Sequence, residues 1–262
     1  MVSRVRLGAV SYLNAAPLVH GLAGDPAFEI TAELPSKVAD RLHAGTIDVG
    51  MIPSIEYARG AYAIVPGIAI ASRGPVRSVN LYLRGKLDQI RRVALDTSSR
   101  SSVALARILL RERLGRDPEY VDRPPNPEAM LAEADAALVI GDPALYADTD
   151  AERLDLGEGW QVLTGLPFVF AFWAGRPGAL NTGHVARLQA ALRSGLAELP
   201  RIALSYNGHG ADRAELNESY LRSNIVYALG PEELAGLAEF YRRAHRQGII
   251  PGVPELRFHG GS

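Results

Sequence analysis

The sequence predicts an α/β fold with two lobes, two crossovers between them and a ligand cleft where the lobes meet. Strand-like and helix-like segments alternate from the start of the chain, which is typical of βα units and a largely parallel sheet. A second series of the same kind begins near residue 91, and an apolar strand near residue 170 leads into a mainly helical C-terminal part. With 262 residues, 47% of them hydrophobic and 22% charged, the chain can bury the core of one large or two small domains.

The first series is predicted to contain five strands and one helix. The helix is expected to be capped by Ser36 and to end at Gly45, a residue type that commonly closes helices. Residues 47–52 are almost entirely apolar and predict a strand that is buried on both faces. In chain order, the predicted strands are residues 4–10, 28–34, 47–52, 62–71 and 76–83.

The second series repeats this alternation and is followed by helices. Its first helix, residues 103–114, is amphipathic and ends at Gly115. Apolar residues at helical spacing predict two more helices, around residues 185–199 and 231–241. The predicted strands of this series are residues 92–95, 119–121, 135–140 and 167–174.

This order of elements predicts where the chain passes between the lobes. The crossovers are expected near residues 82–90 and 168–176. One lobe would then contain residues 1–84 and 174–262, and the other would contain residues 85–173. A single continuous sheet is the alternative.

Composition and missing motifs exclude several classes of function. The formal net charge of −1, without long runs of one sign, gives no indication of a nucleic-acid partner. The lack of cysteine excludes disulfides, thiolate nucleophiles and cysteine-bound metals, and the six histidines show no metal-ligand spacing. Glycine-rich phosphate loops and a Gly-x-Ser-x-Gly elbow are also missing. We therefore expect no metal, no cofactor and no Ser–His hydrolase chemistry.

The N-terminal residues have some features of a signal peptide. Arg4 and Arg6 precede an apolar stretch that ends in two alanines, but Ser11, Tyr12 and Asn14 interrupt it. No segment of the sequence has the apolar length that crosses a bilayer. We therefore interpret the N-terminus as the first strand of a cytoplasmic protein that has no membrane partner.

The first candidate site residues follow predicted strands. Ligands of open α/β sheets bind beyond the carboxyl ends of strands, and Ser11 and Asn14 occupy such a position after the first strand. Asn14 is the strongest candidate, because its amide can donate to an anion and accept from a hydroxyl. An Asn-capped turn is the alternative interpretation. Ser54 follows the third strand in the same way.

A polar run between a strand and a helix, residues 97–102, is the most informative segment. It contains five hydroxyl residues where one would cap the helix, and the free N–H groups of a helix N-terminus favour anions. The run therefore predicts a carboxylate or phosphate site, with a simple helix cap as the alternative. Arg100 either adds a positive charge to this site or is solvated. The predicted ligand-binding residues are Thr97, Ser98, Ser99, Ser101 and Ser102.

Two further positions supply candidate residues. Gly141 and Asp142 follow the strand of residues 135–140, and Gly141 would let a ligand approach the backbone closely. A turn is the ordinary interpretation of a Gly-Asp-Pro sequence. Ser78 and Asn80 lie near the first predicted crossover, where they either line the cleft or face solvent.

Six segments in a fixed order resemble one protein family. They are GAVSYLNAAPL, DVGMIPSIEYAR, SRGPVRSVNLYLR, DTSSRSS, DAALVIGDPAL and DLGEGWQVLTGLPFVFAFWAGR, and the resemblance extends over residues 4–245. Together they are similar to the chorismate dehydratases of the futalosine route to menaquinone. The resemblance implies a two-lobed fold similar to type II periplasmic binding proteins, used as an enzyme in the cytoplasm.

The resemblance also implies a reaction. Chorismate dehydratases eliminate water from chorismate, without a cofactor, and form 3-[(1-carboxyvinyl)oxy]benzoate. Asn14 would then be the catalytic residue and hold the C4 hydroxyl or the enolpyruvyl ether, while the hydroxyl run holds the ring carboxylate. No protein base is evident from the sequence. Glu56 is the carboxylate nearest a predicted site, and the substrate's own enolpyruvyl carboxylate is the other option.

Two other functions are compatible with the same residues. The 1,4-dihydroxy-6-naphthoate synthase of the same pathway shares the fold and has small hydroxyl residues at Ser54, Ser101 and Ser102. It carries a catalytic histidine where this chain has Gly141 and Asp142, which favours the dehydratase. A protein that binds a small carboxylate without chemistry is the other option, since the fold allows both. The sequence also leaves open whether the chain forms a homodimer.

Overall fold

The computed structural model describes residues 4–206 and 210–260 and contains two sheets, one in each lobe. Within these residues the strands are β1 (Val5–Val10), β2 (Phe28–Glu33), β3 (Val49–Pro53), β4 (Ala63–Ile64), β5 (Ile70–Ser72), β6 (Val79–Leu83), β7 (Arg92–Asp96), β8 (Glu119–Arg123), β9 (Ala136–Ile140), β10 (Glu152–Asp155) and β11 (Phe168–Gly175). The predicted α/β fold with two lobes is confirmed.

Helices cover both sheets. The α-helices are α1 (Pro35–Ala44), α2 (Ser101–Leu114), α3 (Pro127–Glu133), α4 (Gly141–Leu145), α5 (Leu156–Thr164), α6 (Thr182–Ala197), α7 (Leu199–Ser205), α8 (Gly210–Ser223) and α9 (Pro231–Arg246). Short 3-10 helices occupy Leu13–Val19, Leu22–Gly24, Ser54–Arg59 and Leu87–Gln89. Among the residues that the structure describes, no helix is long and apolar enough to span a bilayer.

The first sheet has the order β2-β1-β3-β11-β4, and β5 also pairs with β11. β1 is parallel to β2 and β3, whereas β11 returns antiparallel to β3. Every residue of β11 is buried, because its aromatic and aliphatic side chains meet apolar layers on both faces of the sheet. The carboxyl ends of β1 and β3 therefore reach the same edge of this sheet.

The second sheet has the order β10-β6-β9-β7-β8. β7 is parallel to β8 and β9, whereas β6 is antiparallel to β9 and β10. Because β6 and β9 run in opposite directions, Val79 at the start of β6 pairs with Ile140 at the end of β9. Residues just before β6 therefore share an edge with residues just after β9.

Helix boundaries confirm some of the predicted signals. Gly45 and Gly115 follow α1 and α2 in the left-handed conformation, with φ of 72° and 66°. The prediction that Ser36 caps α1 is wrong. The helix begins at Pro35, whose fixed φ suits the first turn, and Leu34 is the residue before it.

Sheet membership places both crossovers earlier than the sequence predicted. The predicted lobe limits, 1–84 with 174–262 against 85–173, put β6 in the first lobe, but β6 hydrogen-bonds with strands of the second sheet. The chain therefore leaves the first sheet after β5 and returns to it at the start of β11. As limits of separate domains, the predicted boundaries stay a prediction.

Candidate active site

A small cavity lies between the two sheets. Its volume is about 50 Å³, whereas small-molecule sites have volumes of about 300–1,000 Å³. Both lobes contribute to its wall, which includes the apolar residues Val10, Ile70, Ile140 and Phe170. The polar members of the wall are Tyr12, Asn14, Ser78, Ser99, Arg100, Ser101 and Ser102. The space between the lobes is too small for a ligand of ordinary size in this structure, an arrangement that we call the closed state, so binding requires the lobes to separate.

Tyr12 of the first lobe contacts the polar run of the second lobe. Its hydroxyl lies 3.0 Å from Ser98 Oγ, and Ser98 Oγ donates in turn to Asp96 Oδ1 at 2.6 Å. Since the single hydroxyl hydrogen of Ser98 goes to Asp96, Tyr12 donates to Ser98. Burial raises the pKa of Tyr12 to about 12, and burial also raises the pKa of Asp96. Tyr12 therefore stays a neutral donor that holds the lobes together.

Ser54 and Ser101 form a second contact between the lobes. Their hydroxyl oxygens lie 3.1 Å apart, and Ser54 Oγ donates to the carbonyl oxygen of Val169 at 2.7 Å. The N–H of Ile55 donates to Ser101 Oγ at 3.1 Å. The N-terminus of α2 is thus fixed against the 3-10 helix Ser54–Arg59.

Asp142 of the second lobe caps the 3-10 helix that carries Asn14. Its Oδ1 accepts from the N–H of Leu13 at 3.0 Å, and its Oδ2 accepts from the Tyr206 hydroxyl at 2.6 Å. Burial raises the pKa of Asp142, and these two hydrogen bonds oppose that rise. Both carboxylate oxygens therefore bind the protein.

Asn14 is fixed through its backbone. Its carbonyl oxygen accepts from the Tyr227 hydroxyl at 3.0 Å. Its Oδ1 atom is buried and has no hydrogen-bond partner among the described residues. A buried acceptor of this kind is costly unless a ligand completes it.

Arg100 is the charged residue of the described cavity wall, and its guanidinium binds the first lobe. It donates to Glu56 Oε2 at 2.8 Å and also pairs with Asp40. His43 Nε2 lies 2.8 Å from the same Glu56 oxygen. Glu56 is 0% exposed, so Arg100 supplies much of the positive charge that a fully buried carboxylate needs.

The cavity wall contains half of the predicted site residues. Those in the wall are Asn14, Ser78, Ser99, Ser101, Ser102 and Gly141. Those outside it in this closed state are Ser11, Ser54, Asn80, Thr97, Ser98 and Asp142. For every one of these residues, a role in binding or catalysis stays a prediction.

The residues outside the wall lie there for identifiable reasons. Ser11 and Thr97 are exposed to solvent. Asn80 lies two positions further into the second lobe than Ser78, and its amide donates to the carbonyl oxygen of Arg77 at 2.8 Å. The side chains of Ser54, Ser98 and Asp142 are engaged in the contacts described above.

Two residues that line the cavity or bind a residue of its wall are not apparent from the sequence. Phe170 in β11 lines the wall, and no pattern marks which face of an all-apolar strand meets a ligand. Tyr220 lies in α8, a helix with charged residues on several faces and no clear apolar stripe. Within the described ranges, no group of three or more His, Cys, Asp or Glu side chains is arranged to bind a metal.

The two sheets and the cavity between them form a two-lobed structure with the periplasmic-binding-protein fold. The menaquinone biosynthesis family matches residues 5–246, and the chain belongs to this family. The chorismate dehydratase of Thermus thermophilus is 34% identical over 259 residues, covering 89% of this chain and 93% of that protein.

Solved structures share the fold at lower sequence identity. A protein from Archaeoglobus fulgidus has a TM-score of 0.74 and 22% identity, with 94% of this chain and 98% of that chain covered. The alkanesulfonate-binding protein SsuA of Xanthomonas axonopodis pv. citri has a TM-score of 0.67 and 18% identity, with coverage of 96% and 94%. At these identities the likeness concerns the fold alone.

Proposed function

We propose that this protein is a chorismate dehydratase, a hydro-lyase that removes water from chorismate in the cytoplasm. The observation that carries the proposal is that Asn14 Oδ1, a buried acceptor with no partner among the described residues, shares one cavity with a hydroxyl-rich helix N-terminus. Chorismate presents a ring hydroxyl, a ring carboxylate and a second carboxylate on its enolpyruvyl ether, which matches these two kinds of group. The 34% identity to the Thermus thermophilus chorismate dehydratase supports the same reaction.

The N-terminus of α2 is suited to hold the ring carboxylate. Ser101 and Ser102 begin this helix and line the cavity together with Ser99. Hydroxyl groups and free helix N–H groups donate to an anion, and the helix dipole is positive at this end. Donors fixed in this way stabilise the negative charge that spreads into the ring carboxylate when the C3 proton leaves.

The proton acceptor in this proposal belongs to the substrate. No carboxylate lines the described cavity wall, and Glu56 and Asp142 are both bound by protein donors. We therefore assign the C3 proton to the enolpyruvyl carboxylate of chorismate. The C3–H electron pair forms the new ring double bond, the C4–O bond breaks, and the hydroxyl takes the proton and leaves as water.

The test mixes purified protein with chorismate, without metal or nucleotide, and follows products by mass and ultraviolet absorbance. We expect the loss of one water and a benzoate-like spectrum. An Asn14→Ala variant provides the control, and its turnover should fall by roughly 10²-fold or more. Unchanged chorismate would overturn the proposal, and the same sample given cyclic dehypoxanthinyl futalosine would then test for the naphthoate synthase.

A further inference from the structure

Ser78, a polar residue of the cavity wall, is bound from outside the cavity by a buried tyrosine. The phenol hydroxyl of Tyr220, in α8, donates to Ser78 Oγ at 2.7 Å. Both residues are buried, and each is 1% exposed. Ser78 lines the cavity, whereas Tyr220 does not belong to the described cavity wall. Tyr220 can therefore act on a ligand only through Ser78.

The direction of this hydrogen bond leaves the Ser78 hydrogen for a ligand. A serine hydroxyl has one hydrogen to donate and two lone pairs that accept, and Tyr220 occupies one of these lone pairs. Among the residues that the structure describes, Tyr220 is the one hydrogen-bond partner of Ser78 Oγ. Since Ser78 lines the cavity, an oxygen of a bound ligand is the acceptor that its hydrogen lacks.

Backbone contacts fix both ends of the hydrogen bond between Tyr220 and Ser78. The carbonyl oxygen of Ser78 accepts from the N–H of Gly141 at 2.8 Å. Asn224 directly follows α8, and its side-chain amide donates to the carbonyl oxygen of Pro75 at 2.9 Å. The end of α8 and the segment before β6 are therefore held together by the protein itself, without a ligand.

Tyr220 also makes Ser78 a stronger donor. Burial raises the pKa of Tyr220, so the phenol keeps its hydrogen at neutral pH. Hydrogen bonds in a chain polarise one another, so a serine that accepts from a phenol donates more strongly. In a buried site, such a donor stabilises an oxygen that gains negative charge more than it stabilises a neutral oxygen.

We infer that Tyr220 is a positioning residue, which directs the Ser78 hydroxyl so that it donates to a substrate oxygen that gains negative charge during dehydration. The inference rests on the proposed function and adds to it. When the C3 proton leaves for the enolpyruvyl carboxylate, negative charge spreads into the ring carboxylate, and it reaches the C4 oxygen as the C4–O bond breaks. Ser78 and Tyr220 keep their hydrogens throughout, because they only donate hydrogen bonds.

The test compares Tyr220→Phe with Tyr57→Phe in steady-state dehydration of chorismate. Both substitutions remove one buried phenol hydroxyl, but Tyr57 bonds to the backbone of Glu255 and Arg257 and does not belong to the described cavity wall. We expect kcat of Tyr220→Phe to fall by roughly tenfold with KM close to the wild-type value, because the weakened interaction is strongest in the transition state. Tyr57→Phe should keep the wild-type kcat.

A double-mutant cycle with Ser78→Ala separates positioning from a general structural effect. Ser78→Ala alone should lower kcat by roughly 10- to 100-fold, and adding Tyr220→Phe should change this residual kcat by less than about twofold. Equal losses in both backgrounds, or wild-type kcat in Tyr220→Phe, would overturn the inference, while wild-type turnover would still uphold the proposed function.

Two further outcomes complete the test. If Tyr220→Phe does not fold, wild-type kcat in folded Ser78→Ala would overturn the inference by itself, because Tyr220 acts through Ser78. A wild-type protein that leaves chorismate intact would overturn both the inference and the proposed function.

Discussion

Gly141 shows, at the scale of single residues, how closely the lobes meet at the cavity. A Cβ atom at this position would lie 2.5 Å from ring atoms of Tyr12, and the backbone φ is +64°. The close contact and the left-handed conformation both require glycine. The Gly-Asp-Pro sequence therefore serves as more than a turn, because it lets the Tyr12 ring close against the second lobe.

We predict that Gly141→Ala impairs turnover more than stability. The methyl group meets the Tyr12 ring only when the lobes are closed, so kcat/KM should fall by roughly tenfold or more. Gly115→Ala is the matched control, since Gly115 has a φ of +66° and nothing within 4 Å of its added Cβ. Gly115→Ala should lose about 1 kcal/mol in urea unfolding, and Gly141→Ala should lose more than that, because its methyl also meets the Tyr12 ring in the closed state. Equal kcat/KM values for the two variants would contradict the prediction.

Two aspartates should give opposite pH dependences of stability. Burial raises the pKa of Asp142, so the folded state binds its proton more tightly, and stability falls as pH rises from the unfolded pKa of about 3.9. The Arg6 hydrogen bond lowers the pKa of Asp48, so its contribution is lost as pH falls below about 3.9.

Urea unfolding at several pH values measures how the free energy of unfolding of each variant changes with pH. As pH rises, the stability of wild type relative to Asp142→Asn should decrease, while its stability relative to Asp48→Asn should increase. Slopes of the same sign for both variants would contradict the conclusion that burial raises the pKa of Asp142.

The sequence indicates polar strand ends well but does not show which hydroxyl reaches the cavity. Ser101 and Ser54 look equivalent in the sequence, yet Ser101 lines the cavity while Ser54 is buried behind it. Ser78 lines the wall because β6 is antiparallel to β9 and therefore begins beside Gly141. Strand direction depends on the whole sheet, so local pattern cannot supply it.

Arg100 connects whole elements, because it ties the start of α2 to α1 and to the 3-10 helix Ser54–Arg59. Its partners are Glu56, which is 0% exposed, and Asp40. The sequence left open whether Arg100 is solvated or adds charge to a ligand site. In the closed state its guanidinium joins the two lobes instead.

We predict that Arg100→Leu destabilises the protein by about 3 kcal/mol, because it leaves the buried Glu56 carboxylate with less compensation. His43 and Arg59 remain beside Glu56 and limit the loss. The control is Arg123→Leu, which removes an exposed pair with Glu133 and should cost less than about 1 kcal/mol. The measurement is the free energy of unfolding in urea, and equal losses in the two variants would exclude a special role for Arg100.

Strands and helices were predicted best where the apolar pattern of the sequence was strong. The parallel strands β1, β7 and β9 carry near-continuous apolar runs and were found within two residues of their bounds. β10 and α8 were missed, because β10 is a short, polar edge strand and α8 is charged on several faces. Their apolar contacts come from tertiary packing, which a local window does not contain.

Across the whole molecule, the side chain of Asp155 joins the two segments that pass between the lobes. Asp155 accepts from the N–H groups of Val76 and Arg77, at 3.0 and 2.6 Å, in the first crossing segment. It also caps α5 by accepting from Gly157 and Glu158, at 2.9 and 3.1 Å. The neighbouring backbones are close, because a Cβ at Gly157 would lie 2.5 Å from the carbonyl oxygen of residue 74.

We predict that Asp155→Ala costs more stability than loss of an ordinary helix cap. It removes the acceptor of four backbone N–H groups, so the free energy of unfolding should fall by about 2–4 kcal/mol. Asn126→Ala removes the cap of α3, which accepts only from Ala129, and should cost about 1 kcal/mol. Thermal or urea unfolding compares them, and similar losses would show that Asp155 acts only as a cap.

Asp155 also lies where substitutions can change the turnover rate of this protein from outside the cavity. Any rotation of one half against the other must pass through the two crossing segments, and Asp155 joins these segments, so we call this place the pivot. Substitutions around Asp155 would therefore alter how often the cleft admits substrate and releases product without touching either molecule. Random mutagenesis selected for faster turnover should accumulate changes at this pivot as well as beside Asn14.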